Sequence, residues 1–93
     1  MVKSEIIALH KQICQDYDIK ASLEFTGINP VFAAKVQRRP NEWFNIILTE
    51  CNPEHLIHEV AHILEWRAHG DSSAHGYRWM QYYEKLEDQY VSN

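Results

Sequence analysis

The chain has 93 residues, of which 45% are hydrophobic and 24% are charged, and its formal net charge is −4 at pH 7. These values are typical of one ordinary globular domain, so a single domain over residues 1–93 is expected. The negative charge argues against strong non-specific attraction to nucleic acid, and the absence of a long apolar run or a secretory signal favours a cytoplasmic protein without a membrane segment.

The first half of the chain predicts one helix followed by three strands. From about Val2 to Tyr17, apolar residues recur at three- and four-residue steps, which is typical of an amphipathic helix. Three short runs rich in β-branched and aromatic residues follow, namely "ASLEFTG", "VFAAKVQRR" and "EWFNIILTE". Turn residues separate them, so we expect three strands in an antiparallel meander.

The second half predicts two further helices. Asn52 can cap a helix that starts at Pro53, and Gly70 can take the left-handed position beyond its end. After a polar loop, "DSSA", another helix is expected from about His75. Its inward stripe comprises Trp79, Tyr83, Leu86 and Tyr90. The expected fold class is therefore α+β, with an N-terminal helix, a three-stranded antiparallel sheet, a histidine-rich helix and a C-terminal helix.

The histidine-rich helix contains the sequence His58-Glu59-Val60-Ala61-His62. His58 and His62 lie one turn apart on the same face, so their ring nitrogens can converge on one metal ion. In this H-E-x-x-H arrangement, Glu59 is not a ligand but takes a proton from the water that zinc activates. A solvated histidine face in a metal-free α+β domain is the simple alternative.

A catalytic zinc ion needs a third protein ligand as well as an open fourth position. His69 lies about 10 Å further along the helix than the H-E-x-x-H pair, which is too far to share its ion. Glu84, followed by Asp88, resembles the third-ligand helix of thermolysin-like enzymes and stays open as a candidate. His75 is favoured, because it starts the inward stripe of the last helix and Gly76 beside it permits a close backbone approach.

Two motifs, H-E-x-x-H at 58–62 and His-Gly-Tyr-Arg-Trp at 75–79, together resemble the SprT-like zinc metalloproteases. These are relatives of the Spartan proteases, which degrade proteins crosslinked to DNA. The resemblance covers nearly the whole chain and implies a minimal zincin-like domain. It implies His58, His62 and His75 as Zn²⁺ ligands and Glu59 as the catalytic base. The implied activity is zinc-dependent hydrolysis of peptide bonds in protein or peptide substrates.

The chain departs from many members of that family at its cysteines. Its only two, Cys14 and Cys51, cannot form the cysteine-rich zinc ribbon. Association with DNA follows from the resemblance alone and is not supported by the net charge.

A non-catalytic, zinc-stabilised protein-interaction domain is the alternative function, with a fourth protein group closing the site. Glu65 is more naturally a group that orients a ligand histidine than a ligand itself. Glu59 favours an enzyme, because a purely structural site needs no glutamate between its histidines. Tyr77, Arg78 and His69 are candidates to assist catalysis, with no basis for choosing among them.

Overall fold

The computed structural model describes residues 1–72 and 74–92. Within these ranges it is an α+β structure, as expected. In chain order, its elements are α1 (Lys3–Tyr17), β1 (Ala21–Phe25), β2 (Ala34–Arg38), β3 (Phe44–Leu48), α2 (Pro53–His69) and α3 (Tyr77–Leu86), followed by one π-helical turn (Glu87–Val91). Ser73, in the predicted polar loop, and Asn93 lie outside the described residues. No helix in the described part of the chain is long and apolar enough to cross a bilayer.

The sheet is mixed, and the predicted antiparallel meander is wrong. β3 lies between the other two strands, parallel to β1 and antiparallel to β2, so that Leu23 and Val36 both lie opposite Ile46. All five residues of β3 are buried, whereas β1 alternates between half-buried and exposed residues. A strand that is buried on both faces is best covered at the centre of a sheet. The prediction assumed that consecutive strands pair, but the connection 26–33 carries the chain past the end of β3.

The hydrophobic core lies between one face of the sheet and the helices. Phe44, Ile46 and Leu48 are alternate residues of β3 and share that face. Ile6 and Ile13 of α1 pack into the same cluster. The predicted apolar half of α2 is buried there, and it comprises Leu56, Ile57, Val60, Ala61, Ile63 and Leu64. This arrangement leaves the histidine side of α2 to face away from the sheet.

The ends of α2 lie at the predicted residues. The side chain of Asn52 accepts a hydrogen bond of 2.8 Å from the backbone N–H of Glu54, which satisfies one of the unpaired donors of the first turn. Gly70 follows the last turn with φ 85°, a left-handed conformation that glycine adopts without strain. These two signals fix the length of α2 and therefore the position of its histidines.

Helix α3 starts at Tyr77, slightly later than predicted, with Gly76 as its N-cap residue. His75 therefore lies on the connection before α3 rather than on its first turn. The close backbone approach predicted at Gly76 is wrong, because a Cβ atom there would meet no heavy atom of the described residues within 4 Å beyond its chain neighbours. Trp79 and Leu86 of the predicted stripe are buried. Because α3 packs against α2, it covers the polar side of that helix.

Candidate metal centre

Three histidine side chains converge where the connection before α3 meets α2. The Nε2 atom of His75 lies 3.0 Å from that of His58 and 3.1 Å from that of His62. These separations are close to the roughly 3.3 Å expected between two nitrogens that share one tetrahedral metal ion at about 2.0–2.1 Å. The three side chains form a cluster that could hold a metal ion.

Hydrogen bonding alone does not account for this convergence. The Nε2 atom of an imidazole carries either one hydrogen or one lone pair, directed outward in the ring plane. His75 can therefore form one well-aligned hydrogen bond at Nε2, yet the ring nitrogens of both His58 and His62 approach it. A metal ion among the three nitrogens would satisfy all of them together, so the donor set fits a metal.

A chain of hydrogen bonds fixes which nitrogen of His62 faces the cluster. The hydroxyl of Ser72 donates to Oε1 of Glu65 at 2.5 Å, so its oxygen accepts from Nδ1–H of His62 at 2.8 Å. The guanidinium of Arg78 donates from Nε to Oε2 of Glu65 and from Nη2 to Asp71, both at 3.0 Å. With its hydrogen on Nδ1, His62 directs the lone pair of Nε2 at the other two histidines.

The carboxyl group of Glu65 is ionised in this chain of hydrogen bonds. Burial would by itself raise its pKa, but hydrogen bonds from Ser72 and Arg78, together with the charge of Arg78, hold the pKa below its ordinary value. An ionised carboxylate can only accept hydrogen bonds. Its ionisation therefore makes Ser72 the donor to Glu65 and the acceptor from His62.

Two of the clustered histidines are held in the neutral form that binds metals. Burial, reinforced by His75 and His62, lowers the pKa of His58 to about 4. Burial also lowers the pKa of His62, and His75 adds to the effect. Neutral imidazoles keep a lone pair available for a metal ion near neutral pH.

Glu59 lies against the cluster from within α2. Its side chain is buried, and its Oε2 atom lies 3.9 Å from Nε2 of His58. Burial raises the pKa of the Glu59 carboxyl to about 7. A cation held by the histidines would favour the ionised form, because opposite charges at short range stabilise each other. A carboxylate in this position can accept a proton from a water beside the histidines.

Trp79 forms the floor of the cluster. Its ring centroid lies within 5.7 Å of the centroids of all three histidine rings. Its indole N–H donates a 3.3 Å hydrogen bond to the backbone carbonyl of His58, and its ring stacks on Tyr83 at 5.1 Å. The rings of the cluster therefore rest on a side chain that is itself held at both ends.

The remaining sequence candidates lie outside the cluster. His69, at the end of α2, is exposed, and so is Tyr77 at the start of α3. Glu84 and Asp88 are also exposed and belong to no metal-binding group among residues 1–72 and 74–92. Arg78 is the one candidate that reaches the site, and it does so through Glu65 rather than by facing the histidines.

Sequence reasoning missed Ser72, the residue that links Glu65 to His62. The sequence predicts that Glu65 orients a ligand histidine. In the structure, Glu65 is hydrogen-bonded to His62 only through the hydroxyl of Ser72, which bonds to both residues. Nothing in the polar stretch "DSSA" distinguishes the hydroxyl that is used, because the choice depends on how the chain returns from α2 to α3.

Comparison with known proteins found no matching family model, no matching curated protein and no matching solved structure. The resemblance to SprT-like proteases therefore rests on the two short motifs at 58–62 and 75–79.

Proposed function

We propose that the chain is a zinc-dependent metallopeptidase that hydrolyses peptide bonds in protein substrates, in a minimal SprT-like domain. The observation that carries this proposal is the convergence of three histidine Nε2 atoms beside the buried carboxyl group of Glu59. Within the described residues, the cluster contains three donors and no fourth. A structural zinc site is normally closed by a fourth protein ligand, whereas a catalytic one keeps that position for water and substrate.

His58, His62 and His75 would hold the ion in this proposal. Three neutral imidazoles in a tetrahedral arrangement suit zinc, which binds nitrogen ligands at about 2.0–2.1 Å. When bound, zinc supplies a Lewis acid that polarises a peptide carbonyl and makes a water molecule more acidic. The preset tautomer of His62 favours binding, since no proton has to move before its nitrogen can coordinate.

Glu59 is the general base of the proposed reaction. Its carboxylate takes the proton of the attacking water and later transfers that proton to the amine that leaves when the peptide bond breaks. Its burial supports this role, because a carboxylate removed from bulk water keeps its affinity for a proton. Its position within α2 supports the role too, because the same helix carries two of the three histidines.

β2 provides a free sheet edge for an extended substrate. Within the described chain it pairs with β3 alone. Its last residue, Arg38, packs over the ring of Trp66 at 5.7 Å, and that ring lies 6.0 Å from the ring of His62. An extended peptide can add to such an edge through backbone hydrogen bonds, which supports binding without a deep pocket.

The test of this proposal is the variant Glu59→Gln. Glutamine keeps the size of the side chain but cannot accept the proton of water, so zinc content and folding should persist while hydrolysis falls by at least about a hundredfold. Glu54→Gln is the matched control, because Glu54 lies on the same helix but is exposed at its first turn. Zinc is measured by elemental analysis, and cleavage is measured on a panel of unstructured proteins with and without DNA.

If the zinc-loaded wild type cuts nothing in the panel beyond the Glu59→Gln background, the peptidase proposal is wrong. The non-catalytic, zinc-stabilised protein-interaction domain then becomes the better account of the same three histidines.

A further inference from the structure

A cleft of about 600 Å³ opens where β2 ends and β3 begins. This volume is in the range of pockets that bind small ligands or side chains. Four cationic side chains line it, namely Lys20, Arg38, Arg39 and Arg67. The indoles of Trp43 and Trp66 provide its aromatic surface.

The cleft is locally positive on a chain whose net charge is −4. Its two carboxylates, Asp18 and Glu42, are outnumbered by the four cations. Within residues 1–72 and 74–92, none of those cations forms an ion pair. Cations that line one cleft repel one another, and a bound anion would relieve that repulsion.

Two of the arginines are held in place without a carboxylate partner. The guanidinium of Arg38 lies 5.7 Å over the ring of Trp66, which in turn stacks on Phe44 at 5.8 Å. Nη1 of Arg67 donates to the backbone carbonyl of Tyr17 at 2.7 Å. Because these positions are set before any ligand binds, a carboxylate would meet a charged surface that is already ordered.

Trp66 relates the cleft to the histidine cluster, because it lines the cleft and its ring lies near that of His62. His62 and Trp66 lie one turn apart on α2, and their ring centroids are 6.0 Å apart. β2 leads into the cleft as well, since Arg38 is its last residue and Arg39 follows directly. A peptide extended along the free edge of β2 would therefore reach the cleft, where Trp66 separates Arg38 from His62.

We propose that this cleft binds an acidic side chain of the substrate, so that the protein selects acidic peptide segments; the proposal rests on the peptidase function above. A confined cluster of cations next to a free strand edge suits one carboxylate on an extended backbone. It suits a nucleic acid less well, because a long polyanion would also meet the negative charge that dominates the rest of the chain.

The test is a binding measurement in the Glu59→Gln background, so that no peptide is cut. Two fluorescent peptides of matched length carry either glutamate or glutamine at the same alternate positions, and fluorescence anisotropy gives their Kd values. The glutamate peptide should bind at least about tenfold more tightly, as expected for one charge-assisted contact. Arg38→Glu should abolish this preference, and Arg39→Glu should weaken it.

Lys11→Glu is the matched control, because it changes the net charge equally but lies exposed on α1, outside the cleft. It should keep the preference, and circular dichroism melting should show that all variants are folded. Equal Kd values for the two peptides, or a preference that survives Arg38→Glu, would overturn the proposal. So would a single-stranded oligonucleotide that binds more tightly than the glutamate peptide and loses its binding in Arg38→Glu.

This readout separates the two proposals, because it does not depend on cleavage. A preference for the glutamate peptide, together with a wild type that cuts nothing, would overturn the proposed hydrolysis. It would still support the binding of acidic side chains in the cleft. Cleavage without any preference for the glutamate peptide would support the proposed hydrolysis and overturn the proposed role of the cleft.

Discussion

In the histidine cluster, one hydroxyl group determines which nitrogen of His62 faces the other two histidines. Ser72 is buried between Nδ1 of His62 and the carboxylate of Glu65, and it bonds to both. Arg78 balances the charge of that carboxylate from the other side. The orientation of His62 therefore depends on side chains that do not belong to the histidine cluster.

Ser72→Ala should weaken metal binding while leaving all three histidines in the chain. Nδ1–H of His62 would lose its acceptor, and Glu65 would lose a donor while remaining buried, so the free energy of unfolding should fall by about 1–3 kcal/mol. The affinity for zinc should fall about 10- to 100-fold, as it does when partners of metal-binding histidines are removed. Titration against a competing chelator gives the affinity.

Ser4→Ala, an exposed substitution on α1, is the control for the loss of a hydroxyl and should change neither quantity. Unchanged zinc affinity in Ser72→Ala would mean that the hydrogen-bond chain does not orient His62 for a metal.

The histidine cluster and the residue that supports it differ in how far the sequence could predict them. His58 and His62 follow from helical periodicity, which puts residues four apart on one face. His75 could be favoured because it precedes the apolar stripe of the last helix, whereas the other reason, a close backbone approach at Gly76, does not hold in the structure. Ser72 had no such pattern, since its partner is set by the path between two helices and by the burial of Glu65.

At the level of elements, the turn between β2 and β3 places a glutamate in an unusual backbone conformation. Asn41 and Glu42 both have positive φ values, 63° and 62°, and the backbone N–H of Trp43 donates to Pro40 at 3.4 Å. Two consecutive left-handed residues are typical of the type I′ turn, which favours asparagine followed by glycine. Asparagine is present, but glutamate replaces the preferred glycine.

Glu42→Gly should therefore stabilise the protein. Glycine adopts the required conformation without the steric cost that a Cβ atom imposes, so the free energy of unfolding should rise by about 0.5–1 kcal/mol in a urea titration. Glu42→Ala keeps the Cβ atom and also removes the charge, so it should show no comparable gain. If Glu42→Ala stabilises the protein equally, the gain comes from removing the charge of Glu42 and not from relieving its left-handed backbone conformation.

The elements themselves were predictable, but their arrangement in the sheet was not. Hydrophobic periodicity and capping residues are local properties of the sequence, and they predict the bounds of the helices and the three strands within a few residues. The order β1-β3-β2 depends on which strand is covered on both faces, a tertiary property. The near-continuous apolar run of "FNIIL" was the available indication that β3 is central.

At the scale of the whole molecule, the histidine cluster adds a further link between α2 and the segment that leads into α3, beside the hydrogen bonds from Trp79 to His58 and from Arg78 to Glu65. His58 and His62 belong to α2, which is anchored on the sheet, and His75 precedes α3, which covers the other side of α2. A metal ion shared by the three would add its binding free energy to the folded state, because the unfolded chain does not bring them together.

Removing zinc with a chelator should consequently lower the Tm. If zinc is present at a hundredfold excess over its Kd, its contribution is about 2.7 kcal/mol, which for a domain of this size corresponds to roughly 10 °C or more. His75→Ala should abolish the dependence of Tm on zinc, whereas His69→Ala should retain it. A Tm that does not change after verified removal of zinc would count against a metal in the native fold.

The unequal exposure of the three histidines would affect how quickly a bound metal ion exchanges with solvent. His62 is buried beneath α3, whereas His75 is exposed and belongs to no regular element. If the cluster holds an ion, its release would begin with His75 moving aside while His58 and His62 on α2 stay bound to the ion. Such a local opening needs much less energy than unfolding. The lifetime of the loaded protein would then be set by the mobility of one surface residue, independently of how stable the sheet and its helices are.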